Sequence, residues 1–279
     1  MHSNIIEVKK INDSLYLLNE NISEEGFITM MLVIGDKRAA IIDTGTGISG
    51  DLDKVICSIT SKPTICLLTH CDPDHAGGAA LFGEIYMSSL DEQLMKASLS
   101  YHTRYLMVRG MTKSEDVKRC AKDCMVKESH FEYRDVRDGD VFDLGSRKLE
   151  AFSLGGHTEG SMCYIDRAGK CLFSGDSIAN ANSAVLIFDK CLPLSEYKKN
   201  LERLLQTVGQ DMDIYTGHAV ELIAAGRVSL DHVPCLQPAK ELVEGALLSV
   251  RGLGRAKLLE VGGISRKGRI FVRIGLYGR

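Results

Sequence analysis

Leu67-Leu68-Thr69-His70-Cys71-Asp72-Pro73-Asp74-His75-Ala76-Gly77-Gly78 is the stretch around which the rest of the chain reads. An apolar run, Ile65 to Leu68, ends in two histidines and two carboxylates, and two glycines then open a helix. Open α/β sheets bind their ligands where buried strands end in such groups, at their C-terminal edge. Imidazole and carboxylate together suit zinc, iron or manganese.

Three later segments repeat the arrangement, each an apolar strand or glycine-rich loop ending in one ligand-type residue. They are Gly155-Gly156-His157-Thr158-Glu159-Gly160-Ser161, then Gly175-Asp176 after Cys171-Leu172-Phe173, then Tyr215-Thr216-Gly217-His218. Glycine beside each ligand lets the backbone approach a crowded centre. A single histidine next to glycine is ordinarily a cap or a core residue. Seven ligand-type residues in four ordered motifs point instead to a metal centre.

Outward from these motifs, strand patterns cover Ser14 to Asn19, Phe27 to Ile34, Arg38 to Asp43, Thr64 to Thr69 and Glu84 to Met87. Asp51 to Ile59 has helical spacing. Leu90 to Lys127 has few strand signals and reads as two or three inserted helices. Strands resume at Glu132 to Arg134, Asp140 to Asp143, Lys148 to Ser153, Met162 to Asp166 and Lys170 to Phe173. Leu194 to Val208 is an amphipathic helix, and Asp213 to Thr216 a short strand. Leu230 to Leu248 contains a further helix, and Lys257 to Val261 and Arg269 to Ile274 read as closing strands. The alternation predicts one layered α/β domain over residues 1–279, with a helical insertion at about 90–127 and a C-terminal helix and strands at about 230–279. The insertion carries a basic-aromatic patch. Tyr101, His102, Arg104 and Tyr105 are expected to face the pocket as a lid and bind an acyl or carboxylate-bearing substrate. Cys71, between two ligands on an extended segment, should point away from them and pack.

With 44% hydrophobic and 25% charged residues, the 279-residue chain can bury a sizeable core. The net charge of -3 and the lack of a long basic run predict no nucleic-acid and no membrane partner. Nine cysteines, an odd number without a C-x-x-C pair, suit a reducing cytosol, and no signal or spanning segment is read. The expectation is a cytoplasmic protein acting on a small-molecule substrate. The segment Leu248 to Arg279 could pack on the core or on a second subunit as a homodimer.

The four motifs, in this order from about Ala39 to His218, resemble the metallo-β-lactamase superfamily. Its pattern is H-x-H-x-D-H, then a His, then a bridging Asp, then a last His. The resemblance implies a four-layer αβ/βα sandwich with two divalent metal ions, zinc, manganese or iron, at one edge. It implies that His70 and His157 hold the first ion, with Asp72 where the motif has its second histidine. Asp74, His75 and His218 hold the second, and Asp176 bridges. Asp74 and Asp176 are then the catalytic carboxylates, and the Asp43-Thr44-Gly45 loop places Asp43 behind the ligands. The implied activity is metal-dependent hydrolysis of a thioester, ester or lactone by a metal-bound hydroxide, as in the glyoxalase II-like and lactonase-like branches. Asp72 departs from the pattern. Its charge takes a filled site from net positive to neutral, which predicts a weaker Lewis acid and a preference for iron or manganese over zinc. Flavodiiron proteins share the fold and carry Glu at this position, so a diiron protein handling oxygen or nitric oxide is the alternative. Those proteins usually add a flavodoxin domain, for which the roughly sixty residues after His218 are too few. A non-catalytic metal-binding member is a third reading.

Overall fold

The first half of the chain builds one sheet and the second half another. The computed structural model describes residues 5–23, 27–128, 130–178, 183–187, 190–208, 212–218, 261–262 and 271–275. The first sheet holds β1 (Ile6–Asn12), β2 (Leu15–Asn21), β3 (Phe27–Ile34), β4 (Ala39–Ile42), β5 (Thr64–Leu67), β6 (Ile85–Met87) and β7 (Arg134–Asp135), in that spatial order. β1 to β4 pair antiparallel and β4 to β7 parallel. In the second half come β8 (Val141–Asp143), β9 (Lys148–Ser153), β10 (Met162–Asp166), β11 (Cys171–Gly175), β12 (Ser183–Ile187) and β13 (Asp213–Thr216). The second sheet runs β13-β11-β10-β9-β8. A third, small sheet joins β12 to β15 (Phe271–Gly275) and β14 (Val261–Gly262).

The two large sheets pack face to face. Leu15, Leu17, Val33, Ile42, Ile65 and Leu67 of the first meet Leu149, Ala151, Met162, Tyr164, Phe173 and Tyr215 of the second in one buried cluster. The other face of the first sheet (Leu18, Met30, Leu32, Ile41, Cys66) is covered by α1 (Leu52–Ile59) through Leu52 and Ile56, and by the short α2 (Pro73–Ala76) and α3 (Glu92–Ser98). Being buried on both faces explains why β5 reads as a continuous apolar run. Over the second sheet lies α6 (Leu194–Thr207), with Leu201 and Leu204 buried and the Arg203 guanidinium 3.9 Å from the centre of the Phe152 ring. The architecture is thus an α/β sandwich, helices outside and sheets inside.

The helices α4 (Tyr101–Met111) and α5 (Glu115–Asp123) start at serine caps. Ser100 Oγ accepts from the Thr103 amide and Ser114 Oγ from the Val117 amide. They bury Val108 and Ala121 against Ile22, Ile28 and Ile48. With α3 they make three helices between Leu90 and Lys127, where two or three were expected. Two strands escape the sequence pattern. β1 is an edge strand whose exposed Glu7, Lys9 and Lys10 blur the apolar alternation, and β12 lies directly after the site loops. β15 overlaps the expected strand Arg269 to Ile274 and pairs with β14, which meets the expected Lys257 to Val261 only at Val261; residues 257–260 and the expected helix in 230–248 lie outside the described residues. Among the described residues, no helix is long and apolar enough to cross a membrane.

Candidate metal centre

Four of the seven sequence-predicted ligands come from the first sheet. β4 and β5 run parallel side by side, so the loops after them emerge together. The β5 loop carries His70 and Asp72. Pro73 occupies the first turn of α2, where its missing N–H costs nothing, and this turn presents Asp74 and His75. The β4 loop carries Asp43, whose backbone sits in the left-handed region at φ 60, a conformation Asp tolerates better than most residues. Its carboxylate accepts from the Thr69 amide and the Thr69 hydroxyl, both at 2.7 Å, and lies 2.9 Å from His75 Nδ1. The Thr69 hydroxyl gives its proton to Asp43, so it accepts from His70 Nδ1 at 3.0 Å. One buried carboxylate therefore fixes both imidazoles with Nε2 lone pairs facing the same space.

The second sheet supplies the other three. His157 sits between β9 and β10, Asp176 directly after β11, and His218 two residues after β13. A Cβ on Gly217 would lie 2.3 Å from Asp176 Oδ1 and 2.5 Å from His75 Cε1, so only glycine lets β13 end here.

These side chains converge. His70, His157 and Asp176 offer ligand atoms within 4.8 Å of one another, and so do Asp74, His75 and His218. Asp72 Oδ2 lies 2.8 Å from His157 Nε2 and 3.8 Å from His70 Nε2. His218 Nε2 stands 3.2 Å from Asp176 Oδ2 and 3.5 Å from Asp74 Oδ2, and His75 Nε2 is 3.4 Å from Asp176 Oδ1. Donors around a tetrahedral ion at roughly 2.0 Å sit roughly 3.3 Å apart, which matches this spread.

The electrostatics are those of a site built for a cation. Burial, with the charges of His75 and His157, pushes His70 well below its ordinary range. Burial acts the same way on His75, yet the carboxylates of Asp176, Asp74 and Asp43 outweigh it and raise His75 well above its usual value. Burial also opposes charge on His218, while Asp176 and Asp74 push it up to about 9. Burial opposes charge on Asp176, but His218 and His75 hold it well below the carboxylate range. Neutral imidazole and ionised carboxylate are the forms that hold a metal, so metal binding here is linked to proton release. His70 Nε2 and Asp176 Oδ1 are buried without a hydrogen-bond partner, an arrangement that costs free energy unless a further group is bound. The donor set and these two orphaned atoms fit divalent ions.

The structure also shows residues that sequence reading missed. Asp91, buried in the turn before α3, accepts from the Cys71 amide (3.1 Å), the Thr158 hydroxyl (2.8 Å) and the Gly160 amide (2.9 Å), tying the His70 loop to the His157 loop. Lys190 donates from Nζ to Asp72 Oδ1 at 2.8 Å. Glu20, buried in β2, accepts from the Thr46 and Ile48 amides and holds the Asp43 loop. Isolated charged residues in ordinary strand and turn contexts gave no local signal for these roles. Cys71 is packed away from the ligands, its sulfur 3.4 Å from Met87 Sδ.

Of the basic-aromatic patch, Arg104 stands elsewhere than expected. Arg104 is fully buried and does not face a pocket; its guanidinium donates to the carbonyls of Leu99, Thr46, Gly77, Val126 and Glu128. Tyr101 and Tyr105 are half-buried, stacked at 5.8 Å, and Tyr101 donates to the Lys122 carbonyl of α5. His102 is exposed. Periodicity placed the helix but not its rotation, and the face carrying Arg104 points into the loops behind α2. The start of the same insertion does reach the centre. Leu90, Gln93 and Leu94 line a cavity of about 260 Å³ with Thr158, Glu159 and Lys190, beside Asp72.

Comparison with known proteins agrees with this geometry. Acyl-coenzyme A thioesterase MBLAC2 of Bos taurus is 25% identical over 232 residues, covering 75% of this chain and 80% of that protein. The Homo sapiens protein of the same name is 24% identical over 228 residues, with the same coverage. The crystal structure of VMB-1 matches 88% of this chain and 99% of its own at TM-score 0.59 and 17% identity. A metallo-beta-lactamase from Pontibacter korlensis matches 86% and 99% at TM-score 0.56 and 17% identity. The family pattern described as Metallo-beta-lactamase superfamily matches residues 24–89 and 124–218, breaking off across α3 to α5. That match takes in more than half of the sequence and every ligand candidate, and the chain belongs to the metallo-beta-lactamase superfamily.

Proposed function

We propose that the protein is a metal-dependent hydrolase of thioesters of the acyl-coenzyme A type, acting in the reducing cytosol. The observation that carries the reading is the convergence of six histidine and aspartate side chains from two sheets with His70 Nε2 and Asp176 Oδ1 orphaned at its centre. The relatives named as acyl-coenzyme A thioesterases favour a thioester over an ester or lactone. Two ions are proposed, one on His70, Asp72 and His157, the other on Asp74, His75 and His218, with Asp176 between them. Bound there, divalent ions supply a Lewis acid for the acyl oxygen and bring a water's pKa toward neutrality. The chain's own residues do the rest. Asp43 and Thr69 hold the imidazoles in one tautomer. Asp74, the most exposed carboxylate of the four at 19%, turns Oδ2 toward His218 and would orient the attacking water and take up its proton through its other oxygen. Water adds to the acyl carbon, the carbon–sulfur bond breaks, and the thiol leaves with a proton. The cavity between Leu90, Leu94 and Lys190 receives the part of the substrate that does not react.

Release of free thiol from a panel of acyl-coenzyme A and acylglutathione substrates tests the proposal, with a lactone and a phosphodiester alongside. Thiol release by the metal-loaded protein, lost in Asp176→Ala together with at least one ion by elemental analysis, is the expected result. Hydrolysis of the lactone or phosphodiester with every thioester untouched would overturn the thioester assignment.

A further inference from the structure

We propose that Lys190 is a positioning residue of the metal centre: its ion pair with Asp72 returns the positive charge that an aspartate takes away, so that Asp72 and Lys190 together replace the histidine of the family pattern. The inference deepens the site described above and rests on Asp72 being a ligand.

The two oxygens of Asp72 face different partners. Oδ2 turns inward, 2.8 Å from His157 Nε2 and 3.8 Å from His70 Nε2. Oδ1 turns outward and takes the Lys190 ammonium at 2.8 Å. The lysine side chain is 20% exposed and the carboxylate 11%, so solvent screens the pair far less than it would a surface bridge. A carboxylate that shares its charge with an ammonium is a weaker donor and adds less negative charge to the ion it binds. Relative to imidazole, Asp72 removes one unit of charge from the site and Lys190 puts one back.

Lys190 is held in place for this contact. Its carbonyl accepts from the Glu159 amide at 2.6 Å, and the Leu192 amide donates to the Gly155 carbonyl at 3.2 Å. Those two bonds lie on either side of His157, so the lysine segment is fastened to the ligand loop at two points. Gly155 sits at φ +65, and the space a Cβ would fill there is taken by Leu192 Cδ1 at 2.3 Å. The backbone that bears the ammonium is therefore packed and hydrogen-bonded to the loop of the histidine that Asp72 touches.

A charge cycle tests this with zinc and manganese ions as probes. The apoprotein and the variants Lys190→Met, Asp72→His and the double variant are titrated against a chromophoric chelator, and turnover of one substrate is read in parallel. Lys190→Met leaves the carboxylate uncompensated. It should bind zinc about 10-fold or more tightly, the scale on which partners of ligands act, and turn over more slowly with KM little changed. Asp72→His leaves the ammonium beside the ion and should weaken zinc by a similar factor. The double variant carries the wild-type charge and should return close to wild-type affinity. Lys190→Arg keeps the charge and should stay near wild type. Lys190→Met binding zinc like wild type, or losing affinity together with melting temperature, would overturn the proposal, as would Asp72→Ala binding metal like wild type. The affinities are read without substrate, so the cycle stands or falls separately from the thioester assignment.

Discussion

At the scale of single residues, the centre depends on a few atoms placed by tight steric and hydrogen-bond rules. Gly217 shows the steric side. Gly217→Ala would push a methyl group against Asp176 and His75, so we expect at least one ion lost by elemental analysis with the circular dichroism spectrum unchanged. Asp43 shows the other side. Asp43→Asn removes a charge that orients His75 and, through Thr69, His70. Metal affinity should drop about 10- to 100-fold in a chelator competition, and retention of wild-type affinity would show that Asp43 orients nothing. Glu20 gives a pH signature. Burial raises it to about 7 against the amides of Thr46 and Ile48, whereas in the unfolded chain it titrates near 4.5. Between those values the native state holds a proton the unfolded chain has lost. The stability this group contributes is complete below about 4.5 and is lost as pH rises through about 7, a change of about 3 kcal/mol. Urea midpoints of the metal-free protein should fall between pH 5 and pH 8, and Glu20→Gln should flatten that slope. The ligands themselves were legible in the sequence because they fall in four ordered motifs at strand ends, five of the seven beside glycine or proline. Asp43 was legible through the loop it shares with the family, whereas Glu20 was not, since its partners lie 26 and 28 positions away.

Among the elements, the loops that carry ligands are braced by side chains from the inserted helices. Arg104 of α4 joins the loop before α1, the end of α2 and the segment after α5 through their carbonyls. Arg104→Met keeps much of the volume and loses every one of these bonds. We expect a loss on the order of 3 kcal/mol by denaturant melt, with KM for substrate unchanged in the surviving folded protein. A raised KM with unaltered stability would return Arg104 to the pocket. Asp91→Ala would leave the Cys71 and Gly160 amides without their acceptor. Periods of 2 and 3.6 residues told strand from helix along most of the chain, because they record which face is buried. They carry no trace of polar contacts between distant segments, and both braces are of that kind. The same reason explains why a mixed basic-aromatic stretch suggested a substrate face where Arg104 serves the backbone instead.

Over the whole molecule, the two large sheets come from separate parts of the sequence, the first complete by Asp135 and the second beginning at Val141. Polar contacts hold them besides the apolar core. Buried Arg147 of the second sheet pairs with Asp166 and reaches back to the Ser14 carbonyl (3.1 Å) and hydroxyl (2.8 Å) at the β1–β2 turn. Arg147→Ala strands the Asp166 charge and should cost about 3–5 kcal/mol, with metal content intact; a melting temperature like that of wild type would contradict it. The layered α/β plan followed from the order of strands and helices and its sandwich form from the family resemblance, while the Arg147 tie, joining residues 133 positions apart, followed from neither.

His70, Asp72, Asp74 and His75 stand on one sheet and His157, Asp176 and His218 on the other. Ions bound among them would act as a removable rivet between two halves of one polypeptide. Chelation then becomes a mechanical event as well as a chemical one. With the rivet withdrawn, the sheets retain their shared apolar face and the Arg147 tie, and the edge that bears the site is held by the Asp91 bridge between the His70 and His157 loops. Susceptibility to a protease should rise there when a chelator is added and fall again on resupply of the ion, at a rate set by how fast the edge breathes.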